Sequence, residues 1–212
     1  MSTVYLVDDD ESVRRALTRM LKEEGLEIHA YESAEAFLAS YAPTMRGCLI
    51  LDVSMPGIDG LELQARLHAA GASLSIVFLT GHGDVPMTVR ALKRGAADFL
   101  LKPVPADALI AAVREALVQN ETAHRDESAR AEIARSFATL TTREREVLML
   151  LVKGKINKQI ADELGIVEQT VKFHRARIMK RMHARTVAEL MHMTARLGTG
   201  AGVDPHSTLD RP

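Results

Sequence analysis

Over the first 118 residues, short apolar runs alternate with longer stretches of helical period. Val4-Tyr5-Leu6-Val7, Cys48-Leu49-Ile50-Leu51, Ile76-Val77-Phe78-Leu79 and Phe99-Leu100-Leu101 are unbroken runs. Strands covered on both faces by helices read this way. A weaker run, Ile28-His29-Ala30-Tyr31, fits an edge strand. The stretches between are amphipathic; Val13, Ala16, Leu17, Met20 and Leu21, for example, fall three and four apart. Five such β-α repeats predict a doubly wound α/β domain, a five-stranded parallel sheet with right-handed crossovers.

Residues 119–138 are polar, mixed in charge and free of Gly and Pro, which predicts a helical linker. Beyond it the pattern is purely helical. Thr141-x-x-Glu144 is a capping box opening a helix through Val147, Leu148, Leu150 and Leu151, stopped at Gly154. Further helices are expected over Asn157–Leu164, from about Glu168 to Met182, and from about Thr186 to Leu197. A small all-α domain over 139–197 follows, with 198–212 expected to be a disordered tail.

Charge divides the chain in the same place. Residues 1–118 carry 16 acidic and 11 basic side chains, net −5, whereas 139–196 carry 6 and 12, net +6. The whole-chain value of −1 hides this. An acidic half joined to a basic half suggests two tasks, the basic one a candidate for nucleic acid. No apolar run reaches the ~18 residues of a membrane helix, and Met1-Ser2-Thr3-Val4 lacks the basic and apolar regions of a signal peptide. The single cysteine, Cys48, excludes an intrachain disulfide framework. A cytoplasmic location is the expectation.

Polar groups appear where the internal strands end. The first strand runs into Asp8-Asp9-Asp10, the third into Asp52, the fourth into Thr80 and the fifth into Lys102. In an open parallel sheet these carboxyl ends share one edge, where ligands bind at the topological switch point. Clustered carboxylates repel, and a hard divalent cation such as Mg2+ removes that conflict. An Asp held there beside a Lys is equipped to attack phosphorus and form an aspartyl phosphate. Each feature alone has a plainer reading: the Asp run as a polar turn with Asp10 or Ser12 capping a helix, and Lys102-Pro103 as an ordinary strand end. The convergence of four strands on one edge favours the chemical reading.

VDDDES, LDVSMPGIDG, LTGHGD and FLLKP resemble, in order and spacing, the signatures of the receiver domains of two-component response regulators, a flavodoxin-like fold. The resemblance implies that Asp52 is the phosphoacceptor. It implies a Mg2+ (or Mn2+) site made by Asp8, Asp9, Asp52 and the backbone carbonyl of Ser54. By the same likeness Thr80 and Lys102 hold phosphoryl oxygens, Lys102-Pro103 is a cis peptide, and Phe99 takes the position of the switch aromatic, where many relatives have Tyr.

In the basic half, two short helices joined by Leu164-Gly165-Ile166-Val167 make a helix-turn-helix candidate. On the third helix Val171, Ile178 and Met182, with Arg175 alongside, form a packing stripe. Gln169, Lys172, Phe173, Ala176 and Lys180 lie opposite, with Arg177 and Arg181 flanking, suited to phosphates and base edges. The segment 140–182 resembles the LuxR-type helix-turn-helix of the FixJ/NarL response regulators. That likeness implies DNA contacts from Gln169, Thr170, Lys172, Phe173, His174, Arg177 and Lys180, and a last helix serving dimerisation. Ala176 stands where some relatives place a base-contacting Lys, and Val167 where Ser is usual. The TGHGDVPMTV stretch and the linker length point toward the FixJ-like branch.

The implied activity is that of a response regulator and not of an enzyme. A cognate sensor histidine kinase phosphorylates Asp52; the chain dimerises through the fourth-helix face of the receiver; the dimer binds double-stranded promoter DNA. Transcriptional activation with RNA polymerase as partner is the expected output. Two rivals are a haloacid-dehalogenase-like phosphohydrolase and a DNA-binding protein indifferent to phosphorylation. The first wants an acid two residues past the nucleophile, where Ser54 stands; the complete acidic set disfavours the second.

Overall fold

The computed structural model describes residues 3–81 and 85–198. Most of the expected tail, and His82–Asp84 within TGHGDVPMTV, lie outside the described residues. The chain divides into two compact units between Arg125 and Asp126.

The first unit alternates β1 (Thr3–Val7), α1 (Glu11–Glu23), β2 (Glu27–Tyr31), α2 (Ala34–Ser40), β3 (Cys48–Leu51), α3 (Gly60–Ala69), β4 (Ser75–Thr80), α4 (Val85–Lys93) and β5 (Asp98–Leu101). Helix α5, Ala106–Ala138, follows and continues through residues 119–138. The strands form one sheet in the order β2-β1-β3-β4-β5, every pair parallel. The apolar runs of β1 and β3 are buried on both faces because successive side chains point to opposite sides. Tyr5, Val7, Leu49 and Leu51 pack with Phe37 and Phe78 on one face. Val4, Leu6 and Ile50 pack with Leu21, Leu109 and Val113 on the other. Each such aliphatic or aromatic side chain contributes about 1.5–3 kcal/mol on burial. Burial also pushes the Cys48 thiol up to about 12, leaving it protonated and unreactive at neutral pH. The edge strand β2 is more exposed, as its weaker pattern requires.

Inside residues 119–138, Asn120 is buried. Its Oδ1 accepts from Gly47 N at 2.9 Å and its Nδ2 donates to the Ser73 carbonyl, tying α5 to the loops that enter β3 and β4.

The second unit contains α6 (Thr142–Val152), α7 (Asn157–Leu164), α8 (Glu168–Arg181) and α9 (Val187–Arg196). Thr141 caps α6 through a reciprocal pair with Glu144, whose carboxylate is buried and also meets Arg181 at 3.2 Å. Helix α7 ends at Gly165 in the left-handed conformation, φ 64°, a geometry that Gly adopts without steric penalty. Val147, Leu148, Leu151, Ile160, Val171, Ile178 and Leu190 form its core. None of the described helices is long and apolar enough to cross a membrane.

Candidate functional site

The strand order reverses between β1, which neighbours β2, and β3, which leads on to β4 and β5. At that switch point the sheet ladder extends one residue beyond each strand: Asp8 N donates to Tyr31 O at 3.3 Å and Asp52 N to Val7 O at 2.9 Å. Asp8 and Asp52 are thereby placed next to one another and buried, with Asp9 exposed beside them. One carboxylate oxygen from each of Asp8, Asp9 and Asp52 lies within 4.8 Å of the others. Asp10 is spent elsewhere: it caps α1, accepting from Ser12 N at 2.8 Å and Val13 N at 3.3 Å.

Lys102 enters from the other side. Its backbone N donates to Thr80 O at 2.8 Å, so β4 and β5 end together and place buried Thr80 beside Lys102. The Lys102 Nζ sits 2.6 Å from Asp8 Oδ2 and 3.7 Å from Asp52 Oδ2. The Lys102-Pro103 peptide is cis. One ammonium against three carboxylates leaves the cluster negative. Burial pushes the Asp52 carboxyl above the ordinary Asp value; the Lys102 ammonium opposes that push and the Asp8 charge adds to it. Oxygen donors alone, surplus negative charge and a carboxylate that resists ionisation together fit a hard divalent cation.

Ser54 follows β3, its side chain exposed, and its backbone N–H donates to Asp52, as does Val53 N at 2.9 Å. Phe99 is half-buried on β5 and packs against Phe78, ring centroids 5.8 Å apart. Two participants escaped the sequence reading. Arg14 Nη1 donates to the Asp8 carbonyl at 2.7 Å; the available signal is a cation early in the helix that follows an acidic strand end. Gly60, in LDVSMPGIDG, leaves no room for a side chain: a Cβ there would lie 2.2 Å from the Asp52 carbonyl oxygen. Its own N–H donates to Val53 O at 3.0 Å, seating the start of α3 against the segment that carries Asp52.

In the second unit, Val171 and Ile178 of α8 and its C-cap Met182 are buried, while Arg175 turns back to donate to Asn157 Oδ1 at 2.7 Å. Gln169, Lys172, Phe173, Ala176, Arg177 and Lys180 are exposed, with Thr170 and His174 partly covered. That is a basic outer face on the second helix of a helix-turn-helix. Its N-cap, Val167, makes no side-chain cap bond and is largely exposed. Val167→Ser is therefore expected to stabilise this unit by about 1 kcal/mol, read as a raised melting midpoint of the 126–198 transition. An unchanged or lowered midpoint would contradict the capping account.

Comparison with known proteins agrees with both halves. The response regulator receiver domain family matches residues 4–114, and the family described as bacterial regulatory proteins, luxR family, matches 138–194. The transcriptional regulatory protein FixJ of Azorhizobium caulinodans is 45% identical over 97% of this chain and 97% of its own length. Nodulation protein W of Bradyrhizobium diazoefficiens is 43% identical, covering 93% of this chain and 87% of that protein. Among solved structures, the low-resolution structure of the response regulator StyR aligns with a TM-score of 0.83 at 44% identity, over 92% of this chain and 98% of that one. Full-length FixJ from B. japonicum aligns with a TM-score of 0.58 at 39% identity, over 93% and 98% of the two chains. The family is one of transcriptional regulators rather than enzymes. The chain belongs to the two-component response regulators that join a receiver domain to a LuxR-type DNA-binding helix-turn-helix.

Proposed function

We propose that a sensor histidine kinase phosphorylates Asp52, that the phosphorylated chain dimerises, and that the dimer binds promoter DNA through α8 to activate transcription. The observation that carries this reading is the meeting of Asp8, Asp9, Asp52 and Lys102 at the switch point of the sheet. Asp8, Asp9, Asp52 and the Ser54 carbonyl are the groups that would hold Mg2+. When bound, that ion supplies the positive charge that lets Asp52 ionise and that offsets the charge of an incoming phosphoryl group.

The Asp52 carboxylate attacks phosphorus; the bond from phosphorus to the donor breaks as the new P–O bond forms. Lys102, already between Asp8 and Asp52, neutralises phosphoryl oxygens, and the Thr80 hydroxyl donates to one of them. Ser54, at the position where a hydrolase would carry a second carboxylate, offers no base to take a proton from an attacking water, which disfavours turnover of the aspartyl phosphate. Withdrawal of Thr80 and Lys102 toward the phosphoryl group alters the ends of β4 and β5, where Phe99 packs, and biases the α4 face toward self-association. A bias of a few kcal/mol in a pre-existing equilibrium suffices. Dimerisation matters for DNA binding because one small helix-turn-helix neutralises few phosphates.

Incubation of the full chain with acetyl phosphate and Mg2+ tests this. Intact mass should show a single phosphoryl adduct, and sedimentation should show a shift from monomer toward dimer. An unmodified mass would overturn the reading; an adduct without a dimer would overturn its second step.

A further inference from the structure

Phe173 is 53% exposed on the outer face of α8, the largest exposed apolar side chain on that helix. Its immediate setting is cationic. The Arg177 guanidinium carbon lies 4.4 Å from the ring centroid, one helical turn on, and His174 meets the ring edge-to-face at 6.0 Å. Lys172 and Lys180 are exposed nearby, and Ala176 offers a methyl group on the same side. The partner suited to this face is therefore polyanionic, yet presents an apolar feature where Phe173 projects.

A DNA major groove supplies that combination. The edges of the base pairs there are hydrogen-bond donors and acceptors, with a single apolar exception, the C5-methyl of thymine. An aromatic ring placed against a donor or acceptor strips its water and returns no hydrogen bond, an unfavourable exchange. Against a methyl group it loses nothing. Arg177, laid over the ring, limits the ring's freedom and keeps a cation beside it.

We propose that Phe173 is a specificity-determining residue that reads the C5-methyl of a thymine in each half-site, with Arg177 as the residue that positions its ring. This rests on the reading of α8 as the helix that faces bases. The test uses a duplex recovered by in vitro selection from a random-sequence pool with the full chain treated with acetyl phosphate and Mg2+. Each thymine of the recovered half-site is replaced by uracil, which deletes only the methyl group. One replacement should weaken the wild type about 4-fold, the value expected for one buried methyl group. Phe173→Ala should lose that sensitivity, and Phe173→Leu, still apolar, should retain it. The ring is exposed, so both variants should keep the wild-type melting curve. A uracil penalty of equal size in Phe173→Ala, or no thymine with a penalty in the wild type, would overturn the proposal alone. Failure of the selection to enrich any sequence would overturn the reading on which it rests.

Discussion

Asp52→Asn is expected to take up no phosphoryl group from acetyl phosphate and, in the presence of chelator, to melt at a higher temperature than the wild type. The two effects share one cause. The amide has no anionic oxygen to attack phosphorus, so the adduct disappears. It also has no charge to bury. In the folded, metal-free chain the Asp52 carboxyl is pushed above its ordinary value by burial, with Lys102 opposing and Asp8 adding to the push. A raised folded-state value favours the folded chain fully below the ordinary Asp value of about 3.9 and loses that contribution as pH rises through the raised one. The wild type should therefore fall progressively behind Asp52→Asn as pH rises from the ordinary Asp value through the raised one. Each kcal/mol corresponds to roughly 4 °C for a unit of this size. Mg2+ should narrow the gap by stabilising the wild type more. Retention of the adduct by the variant, or a melting point below the wild type in chelator, would reject this account.

The second large effect falls on Lys102. Its ammonium is the nearest cation to Asp8, whose side chain is 2% exposed. Lys102→Ala leaves that buried carboxylate accepting from the Asp10 N–H, 3.0 Å away, without its ammonium partner. Removing one member of a buried ion pair typically costs 3–5 kcal/mol; here about 3 is expected, because the partly open site lets water reach Asp9 and Lys102. The sign of the cation response separates this from simple misfolding. With Lys102 gone the cluster is more negative, so Mg2+ should raise the melting point of Lys102→Ala by more than it raises the wild type. Calorimetry in chelator and in Mg2+ gives both numbers. A variant as stable as the wild type in chelator, or one with a weaker Mg2+ response, would show that the pair does not hold the site together.

Much of this site is legible in the sequence, for a physical reason. A strand buried on both faces tolerates no charge along its length, so the charges at its end stand out, and parallel topology decides that those ends meet. Asp8, Asp52, Thr80 and Lys102 are visible by that logic alone. The partition of the Asp run is less so: whether Asp9 or Asp10 joins the cluster depends on which one caps α1, and local hydrogen bonds to Ser12 and Val13 settle that for Asp10. Arg14 was invisible because its partner is a backbone carbonyl, which has no sequence signature. Asn120 was hidden differently. It lies in a polar stretch and is itself polar, but its amide is spent on two backbone groups brought close by the fold. On α8 the spacing of Val171, Ile178 and Met182 shows which side is buried, whereas the Arg177–Phe173 stack depends on rotamers that periodicity does not encode.

Gly60 carries no charge, donates only its backbone N–H and touches no phosphoryl group, yet its missing side chain is what lets α3 begin against the Asp52 carbonyl. In a scan of every substitution at every position, scored by signal-dependent transcription, it would therefore group with Asp52 and Lys102 rather than with the surface glycines. Even Gly60→Ala would displace the backbone that carries Asp52. Tolerance maps of this chain will thus register a vacancy in the packing as strongly as they register a carboxylate.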